Sequence, residues 1–182
     1  MERPVGISAH HRSGTNWLKA VCKANFTRID SGAGYHNLDP SRLAKHLFPR
    51  IYIVRPWRNV AESLWCMRER FGAGAVSLEE FENTPWSKQW KSFPPATLVN
   101  CGSKKVPTSP YYKKVDLKPQ AYHDLHIKTW TAWSVKNPKQ VMVIQYLDLL
   151  GNYQETMLGI AEFLGSDKKQ FETIDHRVGV WK

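Results

Sequence analysis

At 182 residues, 42% hydrophobic and 23% charged, the chain is long enough to build one domain around its own core, and its composition excludes a fibrous or fully disordered protein. Three cysteines, Cys22, Cys66 and Cys101, form an odd set without C-x-x-C spacing. That argues against a disulfide scaffold or a zinc site and fits a reducing compartment. A formal net charge of +10, from 26 Lys and Arg against 16 Asp and Glu, favours anionic partners: nucleic acid, an anionic membrane, an acidic glycan or a phosphorylated cofactor. The plainer reading of that charge is solubility alone.

No apolar run is long enough to span a bilayer, and the opening Met-Glu-Arg-Pro lacks the apolar core of a signal peptide. The expectation is therefore a soluble, cytoplasmic protein. Repeats and low-complexity stretches are absent from the sequence.

In chain order, residues 4–8 read as a strand. Residues 15–25 read as a helix with Trp17, Leu18, Val21 and Cys22 on one face. Asp39-Pro40 places a capping residue before a proline and opens a short helix to about His46. "RIYIVR" (50–55) is a continuous apolar run between charges, the pattern of a buried parallel strand. Residues 58–72 read as a helix closed by Gly72. Ser77 and Glu80 form a capping box at the start of the next helix.

The stretch 84–119 is rich in Pro, Lys, Trp and Tyr and has little periodicity. A segment of that length inside a compact domain reads as a binding loop or lid. Beyond it come a helix from Gln120 to about Val135 and a buried strand at 140–146. An amphipathic helix at 153–165 is closed by Gly165, and a short last helix is expected at 167–174. Strands alternating with helices predict a central parallel sheet covered on both faces, a three-layer α/β/α arrangement.

The sequence "HRSGTNW" (11–17) occupies a strand–loop–helix junction. A glycine turn at that place aims backbone N–H groups at one spot, and the helix dipole adds positive potential there. Ser13, Gly14, Thr15 and Asn16 supply amides, Ser13 and Thr15 add hydroxyls, and Arg12 adds a guanidinium. A terminal phosphate or sulfate fits such a loop. A nucleoside-triphosphate kinase would need Lys directly after the second glycine of its loop. Here Thr15 follows Gly14, and the cation stands before the glycine. A metal–triphosphate reaction is therefore poorly supported.

The loop resembles the 5′-phosphosulfate loop P-K-S-G-T-T-W of sulfotransferases that use 3′-phosphoadenosine 5′-phosphosulfate (PAPS). Ser13, Gly14, Thr15 and Trp17 match; Arg12 replaces Lys and Asn16 replaces Thr. "RPWRNVAES", Arg55 to Ser63, is similar to the family's 3′-phosphate motif R-N-P-x-D-V-A-x-S, with Pro56-Trp57-Arg58 as the departure. An arginine there can grip phosphate through two parallel hydrogen bonds; the alternative for Arg55 is an ordinary strand-end ion pair. Tyr146, Asp148, Leu149 and "AEFLG" (161–165) match the family's Y-E-D-L…A-E-F-L-G tract, which is mostly scaffold. "HRVGVWK" (176–182) is similar to a shortened R-x-G loop toward the 3′-phosphate, from which Arg177 and Gly179 carry over.

This resemblance implies a P-loop NTPase-like α/β topology in a single domain over 1–182, with 84–119 as an acceptor-side lid. It implies transfer of a sulfuryl group from PAPS to a hydroxyl or amine, leaving adenosine 3′,5′-bisphosphate, with no metal. Trp17 matches the family tryptophan that stacks on adenine, with core packing as its alternative. Tyr122, Trp130 and Trp133 are weaker candidates to approach the nucleotide.

Arg12 cannot readily yield a proton and so would act as a fixed charge on the leaving phosphate. The base would be His36, nineteen residues before Arg55, where an imidazole suits neutral pH. Asp30 and Asp39 are its rivals, and a surface histidine is the bland alternative. His10 and His11 flank the loop without the spacing of a metal site.

The expected partner is a small-molecule or glycan acceptor, with lysines favouring an acidic one and indoles favouring sugar faces. No nucleic-acid partner and no membrane span are expected, and the oligomeric state is not legible. A non-catalytic nucleotide- or nucleic-acid-binding module on the same fold is the second reading, and a small-substrate kinase the third.

Overall fold

The computed structural model describes residues 4–10, 12–26, 38–43, 48–70, 76–86, 88 and 116–175. Three strands, β1 (Gly6–Ala9), β2 (Arg50–Val54) and β3 (Val141–Gln145), lie in the order β1-β2-β3, and both pairings are parallel. Gly6 pairs with Arg50, and Arg50 with Val141, so the three strands run in step. The helices are α1 (Thr15–Asn25), α2 (Trp57–Arg70), α3 (Leu78–Asn83), α4 (Pro119–Lys136), α5 (Tyr146–Gly151) and α6 (Tyr153–Leu164).

Side chains alternate across the sheet and so feed two separate cores. On one face Ile7, Ala9, Ile51, Ile53 and Ile144 meet Trp17, Leu18, Val21 and Cys22 of α1 and Met157, Ile160 and Ala161 of α6. On the other face Tyr52, Val54 and Val141 meet Trp130 of α4, with Ile127 and Trp133 beside it. Tyr52 stacks flat on Trp130, centroids 4.9 Å apart and planes 7° apart, and its hydroxyl bonds His126 Nδ1 at 2.7 Å. Helices thus cover both faces of a parallel sheet, the three-layer α/β arrangement that the alternation of strands and helices predicts.

The chain divides into two compact units, Met1–Pro56 with His126–Lys182, and Trp57–Leu125. The sheet and both cores above belong to the first. In the second, the Ser77 hydroxyl accepts from Glu80 N–H at 3.0 Å and starts α3, as the capping pattern implied. There Trp57 donates to Glu82 at 2.8 Å, Trp65 to the Val76 carbonyl at 2.7 Å, and buried Trp86 lies edge-on to Phe81.

Three expectations about elements change. Asp39 does cap, taking the Ser41 N–H at 3.0 Å, but the element it opens is a 3-10 turn over Pro40–Leu43; residues 44–47 lie outside the described residues, as does Gly72. A separate short helix, α5, begins directly where β3 ends. The last helix expected at 167–174 does not form: residues 166–175 are an irregular strap. Its backbone groups are taken by side chains instead. Gln154 binds the Phe171 carbonyl at 3.3 Å, Asn25 and Tyr153 bind the Glu172 carbonyl, and Trp17 binds the Ile174 carbonyl at 2.8 Å. Buried Phe171 packs beside Phe26 at 6.0 Å. A helix would have to withdraw those carbonyls from their partners.

Candidate functional site

The anion loop sits where β1 hands over to α1. Two of its residues adopt left-handed backbone: Arg12 at φ +62° and Gly14 at φ +93°. For a non-glycine residue that conformation is strained by about 1–3 kcal/mol, and such strain concentrates at functional sites. Gly14 is the N-cap and offers no side-chain cap. The Leu18 N–H bonds the Gly14 carbonyl at 3.0 Å and closes the first helical turn. The Thr15 and Asn16 amides, nearer the end, have no intrahelical acceptor. Ser13 is buried at 1% exposure, and its Oγ has no hydrogen-bond partner. An orphaned hydroxyl, a left-handed turn and an open helix end are the ingredients from which anion-binding concavities are built.

Arg55 follows β2 directly, and its NH1 donates to the Arg12 carbonyl at 2.9 Å. This one bond ties the arginine of the second motif to the loop of the first. The guanidinium lies over the Tyr146 ring, 4.7 Å from its centroid, a cation–π contact that orients it. Tyr146 also meets the Trp17 ring edge-on at 5.3 Å and lies so close to Gly14 that a Cβ there would be 2.8 Å from its Cδ2. The loop, Arg55 and Tyr146 therefore gather outside the carboxyl ends of parallel strands, where ligands bind open α/β sheets. The Arg55 guanidinium beside the backbone of the Arg12 loop and a helix N-terminus favours an anionic guest.

Of the site residues read from sequence, Arg12, Ser13, Gly14, Thr15, Asn16 and Arg55 are brought together. Trp17 points into the core at 4% exposure and bonds the Ile174 carbonyl, the position its core-packing alternative describes. Ser63 is half-buried on α2, in the second unit. His36, Arg177 and Gly179 lie outside the described residues, as do His11, Asp30 and most of 84–119. Tyr146 read as scaffold; the signal for its role was its place at the C-terminal end of a parallel strand. Cys22 is no nucleophile, because burial pushes its thiol up to about 12.

An open parallel α/β sheet with a phosphate-type loop at its first helix defines a P-loop-like class of proteins. A family model described as the sulfotransferase domain matches residues 35–179, well over half of the chain, and the chain belongs to that family. The match starts after the Arg12–Trp17 loop, so the loop itself rests on the fold. The fold matches the crystal structure of mouse sulfotransferase SULT7A1 complexed with PAP, with a TM-score of 0.52 and 16% identity. That alignment covers 92% of this chain and 60% of the mouse chain, so the present sequence spans 60% of that protein's length. At this identity the likeness is one of fold. No curated protein matches the sequence. No helix among the described residues is long and apolar enough to cross a membrane.

Proposed function

We propose that this chain is a PAPS-dependent sulfotransferase, soluble and cytoplasmic, that acts as one domain on a hydroxyl or amine acceptor of carbohydrate or glycolipid type. The observation that carries this reading is the 2.9 Å bond from Arg55 to the Arg12 carbonyl, which joins two family-like anion motifs at one sheet end. The buried Ser13 hydroxyl without a partner and the close-packed glycine turn fit a 5′-phosphate group. Bound there, the nucleotide supplies the sulfuryl group; the chain supplies the rest.

The loop amides and Arg12 hold the phosphate end and offset the charge that builds on it, Arg12 as a fixed cation. Arg55 and Ser63, with Arg177 and Gly179 after them, take the 3′-phosphate. Trp17 would stack on adenine only if its ring leaves the packing seen here, so its part in the site is support of the loop helix. His36 accepts the acceptor's proton, and 84–119 forms the acceptor side.

The test is calorimetric titration with adenosine 3′,5′-bisphosphate, AMP and ATP, followed by a labelled-sulfate transfer screen. Clear preference for the bisphosphate, much reduced in Arg55→Ala, is expected. Equal affinity for all three nucleotides would reject the reading. Bisphosphate binding without transfer to any acceptor would leave the binding-module reading, and magnesium-dependent ATP turnover would favour a kinase.

A further inference from the structure

We infer that Asn25 is a positioning residue for the nucleotide site, acting through the strap 166–175; this rests on the PAPS-dependent reading above. Asn25 ends α1 and is buried at 6% exposure. Its Oδ1 accepts the Glu172 N–H at 2.7 Å, and its Nδ2 donates to the Glu172 carbonyl at 2.9 Å. The side-chain amide thus pairs with one backbone residue in both directions, as a neighbouring strand would. The same Nδ2 reaches the Val21 carbonyl at 3.0 Å and the Tyr153 hydroxyl at 3.3 Å. The Asn25 carbonyl takes Lys168 Nζ at 3.1 Å. Every hydrogen-bonding group of the side chain is used, an arrangement that rigidifies what it holds.

Two residues along the strap, the Ile174 carbonyl accepts from Trp17 Nε1 at 2.8 Å. Trp17 lies in the first turn of α1, so the strap is fastened to both ends of that helix. From Trp17 the contacts continue without a gap. Its ring meets Tyr146 at 5.3 Å, and Tyr146 carries the Arg55 guanidinium at 4.7 Å. The order of contact is therefore Asn25, strap, Trp17, Tyr146, Arg55. The 5′-loop touches Tyr146 at Gly14 and Arg55 at the Arg12 carbonyl, but it has an additional anchor in the Leu18–Gly14 bond of the helix itself. Loosening the strap should disturb Arg55, the 3′-phosphate ligand, more than the loop that takes the 5′-phosphate.

The readout is the ratio of affinities for adenosine 3′,5′-bisphosphate and AMP, measured well below the melting temperature. Asn25→Ala is expected to lower that ratio by about tenfold, the scale of one lost network hydrogen bond. Trp17→Phe keeps a ring but removes the donor to Ile174, and is expected to lower the ratio in the same direction. A lost adenine contact would weaken both nucleotides alike and leave the ratio unchanged, so the two roles of Trp17 separate. A reduced stability with an unaltered ratio in both variants overturns the inference while leaving the sulfotransferase reading intact. A wild-type chain that does not distinguish the two nucleotides overturns both.

Discussion

A methyl group on Gly14 would lie 2.8 Å from the Tyr146 ring, and the backbone there stands at φ +93°. Both facts act against any side chain, and the left-handed conformation alone costs an L-residue about 1–2 kcal/mol. Gly14→Ala is expected to lower the unfolding free energy in urea by at least that amount and to weaken nucleotide binding, because the displaced Tyr146 also carries Arg55. A variant with wild-type stability would show that the turn is not built this way. A second residue-scale consequence concerns the thiols. Cys22 is fully buried, whereas Cys66 is exposed. Burial raises the Cys22 thiol from 9.0 to about 12, so the folded chain keeps a proton that the unfolded chain releases above pH 9. This stabilisation is complete below pH 9 and is lost as pH climbs toward 12. Stability between these limits should fall less steeply in Cys22→Ala than in the parent. Iodoacetamide mapping at neutral pH should modify Cys66 and spare Cys22 until denaturant is added; early labelling of Cys22 would refute its burial.

At the scale of elements, long periodic segments were legible and backbone-paired irregular ones were not. The apolar stripe of 15–25 marked α1 at both ends, because Trp17, Leu18, Val21 and Cys22 recur at helical spacing and all are buried. The continuous apolar runs marked β2 and β3, since strands covered on both faces show no alternation. The strap 166–175 misled for a physical reason. "DKKQFETI" has helical composition and a plausible apolar spacing, but the carbonyls of Phe171, Glu172 and Ile174 are claimed by Gln154, Asn25, Tyr153 and Trp17, residues up to 157 positions away. Local pattern cannot report such partners. For the same reason Arg55 and Gly14 were found from their motifs, while Tyr146 and Asn25, whose roles depend on long-range contact, were not. A proline separates strap from helix directly. In a helix interior it costs about 3 kcal/mol or more. Gln170 is exposed and lies within the strap, so Gln170→Pro should cost well under that figure in urea unfolding. A loss as large as that of an interior helix proline would restore the helical reading of 167–174.

For the whole molecule, the net charge of +10 allows two kinds of behaviour that salt can tell apart. A surface that binds a long polyanion releases one counterion for nearly every phosphate it neutralises. With six to ten such contacts, affinity falls by about 10³–10⁵ between 50 and 200 mM salt. A pocket that grips one bisphosphate through Arg55, the loop amides and a buried hydroxyl works at short range, where screening acts weakly. The diffuse positive field then adds mainly to the rate of encounter. The expected result is that adenosine 3′,5′-bisphosphate loses less than about tenfold in affinity over that salt range, while duplex DNA of mixed sequence loses nearly all of its binding. Competition supplies the second half of the test. If the bisphosphate displaces DNA only at low salt and keeps its own affinity at high salt, the pocket is the specific site and the charge is its antechamber. If DNA still binds tightly at 200 mM salt and the nucleotide cannot compete, nucleic-acid binding becomes the better account of the charge. Arg55 and the loop it bonds at the sheet end would then serve a phosphate backbone rather than a sulfuryl donor.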